Sequence, residues 1–463
     1  MDSGLTFSLK PSVRLLEDSG HPVGLEEPGH HRLRLPEAGE AQQAFLEALV
    51  RGASSEQELC GHGASREARL ELRYFLALLE KQGWLGYSLA QGGRVLATLE
   101  PLTRECRFRP AGEGAWRLSR FAWVRRIDGG IVLENPLGFG RVLLLEPLAL
   151  ELVGRLCRPR TAEELADGSG LATPMAAAFL ALLSSAGAVA SCGAEGQLPE
   201  DRDAALRQWE FHDLLFHSRS RTGRHGDPAG GTCRFLGDIA PLPGLKPPRP
   251  ESIPLPEPCL PRRDLPFFQV LEARRSIRAP GPAPITLAQL GTFLHYVARV
   301  RGVNPADPGA GRTYEAVAGP CPGGGGLHEL ELYLAVSRCA GLEPGFYHYA
   351  AGAHLLEPWP PDGAGRMLLQ AAAAMGTATV PDILFTLAAR IQRVTWKYQT
   401  IAYALILKNT GVLFQQMYLV ATALGLAPCA IGTGDTQLFA RTTGLDAAEE
   451  SSVGEFALSG WAT

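Results

Sequence analysis

Lys397 and Tyr398 stand side by side at the end of the run Arg390-Ile391-Gln392-Arg393-Val394-Thr395-Trp396-Lys397-Tyr398, just ahead of an apolar stretch from Ile401 to Leu426. An ammonium beside a phenol favours the ionised phenol, and a desolvated amine is itself a base, so either residue can take a proton from carbon. A Tyr at an interface with a snorkelling Lys would use the same two letters. A second group is Ala273-Arg274-Arg275-Ser276-Ile277-Arg278. In extended chain, alternation puts Arg274, Ser276 and Arg278 on one side. Two guanidinium groups and a hydroxyl there suit a phosphate, and an ion-paired surface could be built from them equally well. A third group is Pro320-Cys321-Pro322-Gly323-Gly324-Gly325-Gly326, which leads into the apolar run Leu330–Val336. Such glycines let backbone N–H groups approach a planar or anionic ligand, or simply form a flexible turn. The loop lacks the preceding strand and the spacing of a dinucleotide or nucleotide-phosphate fingerprint.

The elements that must position these groups follow from periodicity. Helices are expected from Phe267 to Ala273, from Leu287 to Val300 and from Val412 to Leu424; strands are expected over 330–336, 345–349, 383–387 and 456–458. Helices gathered around one small sheet read as α+β. The longest apolar-rich stretch, Met367 to Ala389, is broken by Pro381-Asp382. It reads as a buried helix followed by a buried strand, with no membrane span.

Ten prolines between Pro241 and Pro266 predict an extended, semi-rigid connection. Ahead of it the sequence repeats itself: Leu76–Leu85 resembles Leu180–Val189. Each copy follows a short helix opened by a capping box, Ser55 with Glu58 and Thr161 with Glu164. Each long helix stops at glycine and enters a strand, and Gln91-Gly92-Gly93 reads as a hairpin turn. Helix, helix and β-wing form the winged-helix pattern. The expected domains are therefore a winged-helix-like unit at 1–102, a second such unit at 103–200, an arm and Pro-rich linker at 201–265, and a catalytic domain at 266–463.

The composition narrows the function classes. The chain has 463 residues and a net charge of −4, from 44 basic and 48 acidic residues. The long helix of the second copy has no basic residue between Thr173 and Ala190, and phosphate neutralisation needs Lys and Arg, so nucleic acid is not expected as a partner. Nine scattered cysteines without a C-x-x-C or a zinc spacing predict reduced thiols, no metal and a cytoplasmic setting. Charges at Asp2, Lys10 and Arg14 leave no apolar stretch for a secretion signal.

Taken together, residues 266–460 resemble the nitroreductase superfamily and, within it, the SagB-type azoline dehydrogenases. The resemblance rests on Arg274-Arg275-Ser276-Ile277-Arg278, on Pro322–Leu327 followed by Glu331-Leu332-Tyr333, and on Gly341-Leu342-Glu343-Pro344-Gly345-Phe346-Tyr347-His348-Tyr349. Leu419–Leu426, Ala430-Ile431-Gly432 and Glu450–Gly460 complete it. It implies an FMN-dependent homodimer with sites at the subunit interface, acting on a precursor peptide. In that family azolines lose a proton from the α-carbon and a hydride from the adjacent ring carbon, giving thiazoles or oxazoles.

The resemblance implies Lys397 and Tyr398 as the catalytic pair, with the base assignment open between them. It implies FMN contacts from Arg274, Arg275, Ser276, Arg278, Pro322, Gly323, Gly324, Gly325, Gln416, Ile431, Gly432 and Gly434. Trp123 to Leu165 resembles the elements that capture the leader of such peptides as an added strand; a scaffold or dimerisation role fits the same pattern. A cyclodehydratase that makes the azoline is an expected partner. There are departures: the flavin loop is all glycine, and Ile401, Asn409 and Val412 stand where Arg, Glu and His are common. Two other readings are an NAD(P)H-dependent nitro- or quinone reductase and a non-catalytic flavin-binding scaffold.

Overall fold

The computed structural model describes residues 4–18, 21–27, 31–34, 40–52, 54–60, 65–258, 265–360 and 362–461. The chain divides into two compact units, Met1–Asp227 and Pro228–Thr463.

The N-terminal unit is built on a six-stranded antiparallel sheet. Its strands are β1 (Leu5–Leu9), β2 (Leu85–Gln91), β3 (Arg94–Pro101), β4 (Trp123–Ile127), β5 (Gly130–Glu134) and β6 (Gly140–Leu144). Their spatial order is β1-β2-β3-β6-β5-β4. Helix α1 (Arg66–Gln82) precedes β2, and α2 (Thr173–Ser185) packs Phe179, Leu182 and Leu183 on Leu99, Val142 and Leu144 of the sheet. Local chemistry sets the boundaries as the sequence implies. Ser55 and Thr161 exchange side-chain and backbone bonds with Glu58 and Glu164. Gly83 and Gly187 end their helices with φ of 72° and 73°, where a Cβ would strain the chain. β3 pairs with β6 from Pro101↔Gly140 to Ala97↔Leu144. The expected division at 102/103 therefore falls inside one hydrogen-bonded sheet, because Leu89, Leu96, Ala97 and Leu99 of β2 and β3 share a core with α2.

The C-terminal unit contains a seven-stranded antiparallel sheet. Its elements begin with β7 (Gly230–Gly231), β8 (Ile253–Pro254), α3 (Phe267–Ala273), α4 (Leu287–Ala298), β9 (Leu330–Val336) and β10 (Gly345–Ala350). Next come β11 (Leu355–Trp359), α5 (Ala364–Met375), β12 (Ile383–Arg390), α6 (Ile391–Thr395) and β13 (Tyr398–Gln399). The last are α7 (Ala402–Ala423), β14 (Leu426–Ile431), α8 (Thr436–Thr443) and β15 (Glu450–Gly460). The order is β8-β11-β10-β9-β12-β15-β14, with β7 and β13 paired separately.

Every residue of β12 is buried, which explains its near-continuous apolar sequence. Helices α4 and α7 cover one face, where Phe293, Leu413 and Met417 meet Phe385 and Leu387. Helices α5 and α8 cover the other, where Met367, Ala371 and Phe439 meet Leu384 and Ala388. Burying each such aliphatic or aromatic side chain contributes roughly 1.5–3 kcal/mol. The helix expected from Val412 to Leu424 begins earlier, at Ala402, and ends at Ala423; Gly425, at φ 66°, turns the chain into β14.

Residues 228–258, read as linker from their prolines, belong to the C-terminal unit. Their carbonyls find donors there: Arg393 to Leu242 at 2.5 Å, Arg390 to Pro243 and Gly244 at 2.9 and 3.2 Å. Ile253-Pro254 then pairs with β11.

Candidate active site

The run 390–398 does two jobs. Its inward-facing members hold neighbouring chain. Arg393, 2% exposed, donates to the carbonyls of Leu327 at 2.7 and 2.9 Å and of Glu315 at 2.9 Å, besides that of Leu242. Burial pushes its guanidinium down to about 10. Trp396 Nε1 donates to the Ile239 carbonyl at 2.6 Å. One side chain thus ties the exit of the glycine loop to the segment carrying Tyr314.

The last two residues of the run face that loop. A Cβ built on Gly325 would lie 2.6 Å from Lys397 Nζ and 2.9 Å from Tyr398 Oη. Gly325 also has φ 69°, so glycine is required there twice over. Lys397 Nζ donates to Tyr314 Oη, and Tyr314 Oη donates to the Gly325 carbonyl at 2.9 Å. The ammonium lies 4.5 Å from the Tyr314 ring centroid and 5.0 Å from that of Tyr398. Burial acts to depress the Lys397 ammonium, but the hydrogen bond it donates to Tyr314 and the interactions with Tyr314 and Tyr398 outweigh it and raise it above the ordinary lysine value. β7 lies alongside: Gly231 pairs with Tyr398, and a Cβ at that position would rest in ordinary contact with Lys397 Cε at 3.5 Å.

Asn409, on α7, holds the loop from the other side. Its Oδ1 accepts from Gly324 N at 3.3 Å and its Nδ2 donates to Glu329 Oε1 at 2.6 Å. Burial raises the Glu329 carboxyl above its usual range. Pro322, Gly323, Gly326, Glu329 and Asn409 line an open pocket together with Val297 and Leu413.

The expected phosphate group gathers elsewhere on α7. Arg274 lies 5.2 Å from the Tyr418 ring, and Ser276 Oγ bonds Tyr418 Oη at 2.7 Å. Ile277 N donates to Pro428 O at 2.8 Å. No carboxylate pairs with Arg274, Arg275 or Arg278 among the described residues. Arg274 is thereby placed near the Ser276 hydroxyl, while Arg275 and Arg278 are exposed on the same segment.

The remaining expected contacts separate. The Gln416 amide donates to the Tyr296 carbonyl at 3.1 Å. The Ile431 side chain packs with Met367 and Ala371, on the sheet face opposite α7. Gly432 has open space around its Cβ position, while Gly434 abuts the Glu455 carboxylate, 2.3 Å from a built Cβ. Burial pushes Glu455 up to about 7.

Tyr314, Arg393 and Glu329 escaped the sequence reading. Tyr314 sits in a loop without periodicity, and its nearest signal was proximity to the glycine run.

Residues 271–461 match the family model described as Nitroreductase family, and residues 116–226 match that of the cyanobactin oxidase ThcOx. A Methanocaldococcus jannaschii protein with a provisional nitroreductase name is 29% identical over 163 residues, spanning 35% of this chain and 76% of its own length. The E. coli microcin synthetase McbBCD complex with truncated pro-MccB17 bound gives 19% identity, covering 54% of this chain and 91% of that chain, at a TM-score of 0.34. A Desulfovibrio desulfuricans structure, provisionally a nitroreductase in complex with FMN, gives 15% identity over 42% of this chain and 86% of that chain, at 0.27. The C-terminal unit therefore carries a nitroreductase-family domain of the α+β class, in a chain whose residues 116–226 are similar to a cyanobactin oxidase.

Proposed function

We propose that the chain is an FMN-dependent dehydrogenase that oxidises thiazoline or oxazoline rings of a ribosomally made peptide to thiazoles or oxazoles. The observation that carries this reading is the meeting of Lys397 Nζ and Tyr398 Oη on one backbone position, Gly325, inside a nitroreductase-family domain. The similarity of residues 116–226 to a cyanobactin oxidase favours a peptide substrate over a small diffusing one.

Bound FMN would supply the two-electron acceptor, and a further acceptor such as dioxygen would regenerate it. The fit rests on the glycine loop, whose close approach any side chain at Gly325 would block, and on the uncompensated Arg274, Arg275 and Arg278. The protein's own part is proton removal. Lys397 and Tyr398 present an ammonium and a phenol to the same small volume, so one can hold charge while the other takes the proton.

Two finer features support partners. β4 lies at the edge of its sheet, with Val124 exposed, and is open to an added peptide strand. Phe267 and Phe268 on α3, with Leu407 and Val412 on α7, are exposed apolar groups suited to a second copy of the chain.

The test is to incubate the purified protein, reconstituted with FMN, with an azoline-containing peptide and weigh the product. A loss of two hydrogens per ring is expected. Lys397→Ala and Tyr398→Phe should keep bound flavin and lose about 100-fold or more in rate, as for removal of a positioned base. Full turnover by both variants, or no ring oxidation by wild type, would remove the reading.

A further inference from the structure

We propose that Tyr314 is a positioning residue that fixes the direction of the hydrogen bonds around Lys397, making Lys397 the proton-bearing partner and leaving Tyr398 to take the proton from substrate. The inference rests on the dehydrogenase reading and settles the assignment that the sequence leaves open.

The argument is a count of donors. A phenol has one proton to give. Tyr314 commits that proton to the Gly325 carbonyl, an acceptor that can never donate in return. Its oxygen therefore meets Lys397 Nζ only as an acceptor, and Lys397 must be the donor in that bond. A neutral amine could still donate, but the ammonium makes the stronger bond. The Tyr314 ring adds a second preference for positive charge, since Nζ lies 4.5 Å from its centroid. The raised Lys397 value agrees with both.

The groups facing Lys397 come from each neighbouring element: Tyr314 from the preceding loop, the Gly325 backbone from the glycine loop, Tyr398 from its own strand, and the side-chain-free Gly231 from β7. No carboxylate pairs with Lys397 among the described residues, and Tyr314 and Tyr398 solvate its ammonium. In this arrangement Tyr398, having released its own proton to solvent, would take the substrate α-proton as that C–H bond breaks, and bound FMN would supply the acceptor for the hydride that leaves the adjacent ring carbon. Lys397 keeps its proton throughout, and its ammonium would stabilise the phenolate that acts as base.

Two variants and two readouts test this. Tyr314→Phe keeps the ring and removes the acceptor. Reductive methylation of Lys397, followed by peptide mass spectrometry across a pH series, reads the neutral amine without any turnover. Lys397 should react at lower pH in Tyr314→Phe than in wild type. In turnover, Tyr314→Phe should lose about 10-fold in kcat with little change in KM, and the alkaline limb of its pH profile should move to lower pH. Lys397→Arg keeps a permanent cation and should retain measurable oxidation where Lys397→Ala does not. Wild-type labelling and a wild-type pH profile in Tyr314→Phe would overturn the proposal. So would Lys397→Arg that binds FMN and peptide yet is as inactive as Lys397→Ala. If wild type oxidises no azoline, the dehydrogenase reading fails, while the labelling still decides the role of Tyr314.

Discussion

Gly325 and Lys397 occupy mutually exclusive space: a methyl on the glycine would stand 2.6 Å from the lysine Nζ, and 2.9 Å from Tyr398 Oη. Of the loop glycines, Gly325 is the one that meets the pair, while a Cβ on Gly324 would meet Leu405 and one on Gly326 would meet Ala316. Gly325→Ala should therefore displace both polar atoms and also strain a backbone at φ 69°. The strain alone costs about 1–2 kcal/mol. Ring oxidation should fall much further than stability, by about 100-fold, against a modest loss of Tm in a thermal melt. A variant that turns over at the wild-type rate would show that the loop and the pair do not form one site.

Arg393 predicts the opposite pattern, a structural loss. Its guanidinium is buried and satisfies the carbonyls of Leu242, Glu315 and Leu327. Arg393→Met fills similar volume and leaves those acceptors without a donor. Each orphaned buried carbonyl costs about 1–3 kcal/mol, so the urea midpoint should drop sharply. Activity per folded molecule should fall too, because Leu327 and Glu315 flank the glycine loop and Tyr314. An unchanged midpoint would mean that water replaces the side chain.

How much of this was readable beforehand divides by range. Periodicity located α3, α4, β9, β10 and β12, and capping chemistry located the short helices behind Ser55 and Thr161. These are local signals, and local physics decided them. Lys397, Tyr398 and Gly325 could be singled out, but their meeting is a tertiary fact across seventy-odd positions of sequence. The proline-rich segment was misjudged for the same reason. Proline predicts extended chain correctly, yet only the distant Arg390, Arg393 and Trp396 decide that this chain is packed down. The resemblance implies Ile431 beside Gly432 at the cofactor, whereas strand alternation sends the Ile431 side chain to the α5 face. Strand β11 and Tyr314 gave no periodic signal at all.

A second buried network gives a pH prediction. His348 lies between Glu357 at 2.7 Å and Glu331 at 2.9 Å, and Arg390 reaches Glu331 at 3.5 Å. Burial disfavours the imidazolium, but the two carboxylates outweigh it and raise His348 above the usual histidine value. Glu331, for its part, is drawn down to about 2 by His348 and Lys246 despite burial. A raised histidine stabilises the fold fully below its unfolded value of about 6.5 and loses that contribution as pH rises through its folded value. The lowered Glu331 contributes above about 4.5 and fails as pH falls towards 2. The stability gap between wild type and His348→Gln, from urea midpoints, should be widest near pH 5–6 and shrink on the alkaline side. A constant gap from about pH 5 to 9 would contradict a charged His348.

The cofactor contacts can be sorted by the same reasoning. Arg275 and Arg278 have no carboxylate partner among the described residues, whereas the Gln416 amide already serves the Tyr296 carbonyl. Two charge-assisted bonds to a phosphate contribute about 1.5–3 kcal/mol each. Arg275→Gln and Arg278→Gln should therefore each weaken FMN by about 10- to 100-fold in a fluorescence-quenching titration. The loss should be smaller at high salt, where the wild-type attraction is itself screened. Riboflavin, which lacks the phosphate, should bind wild type and both variants equally. Gln416→Ala should change FMN affinity little, since its amide is spent on α4. Equal weakening of riboflavin and FMN by the arginine variants would place these guanidinium groups away from the phosphate and move the clamp to another part of the unit.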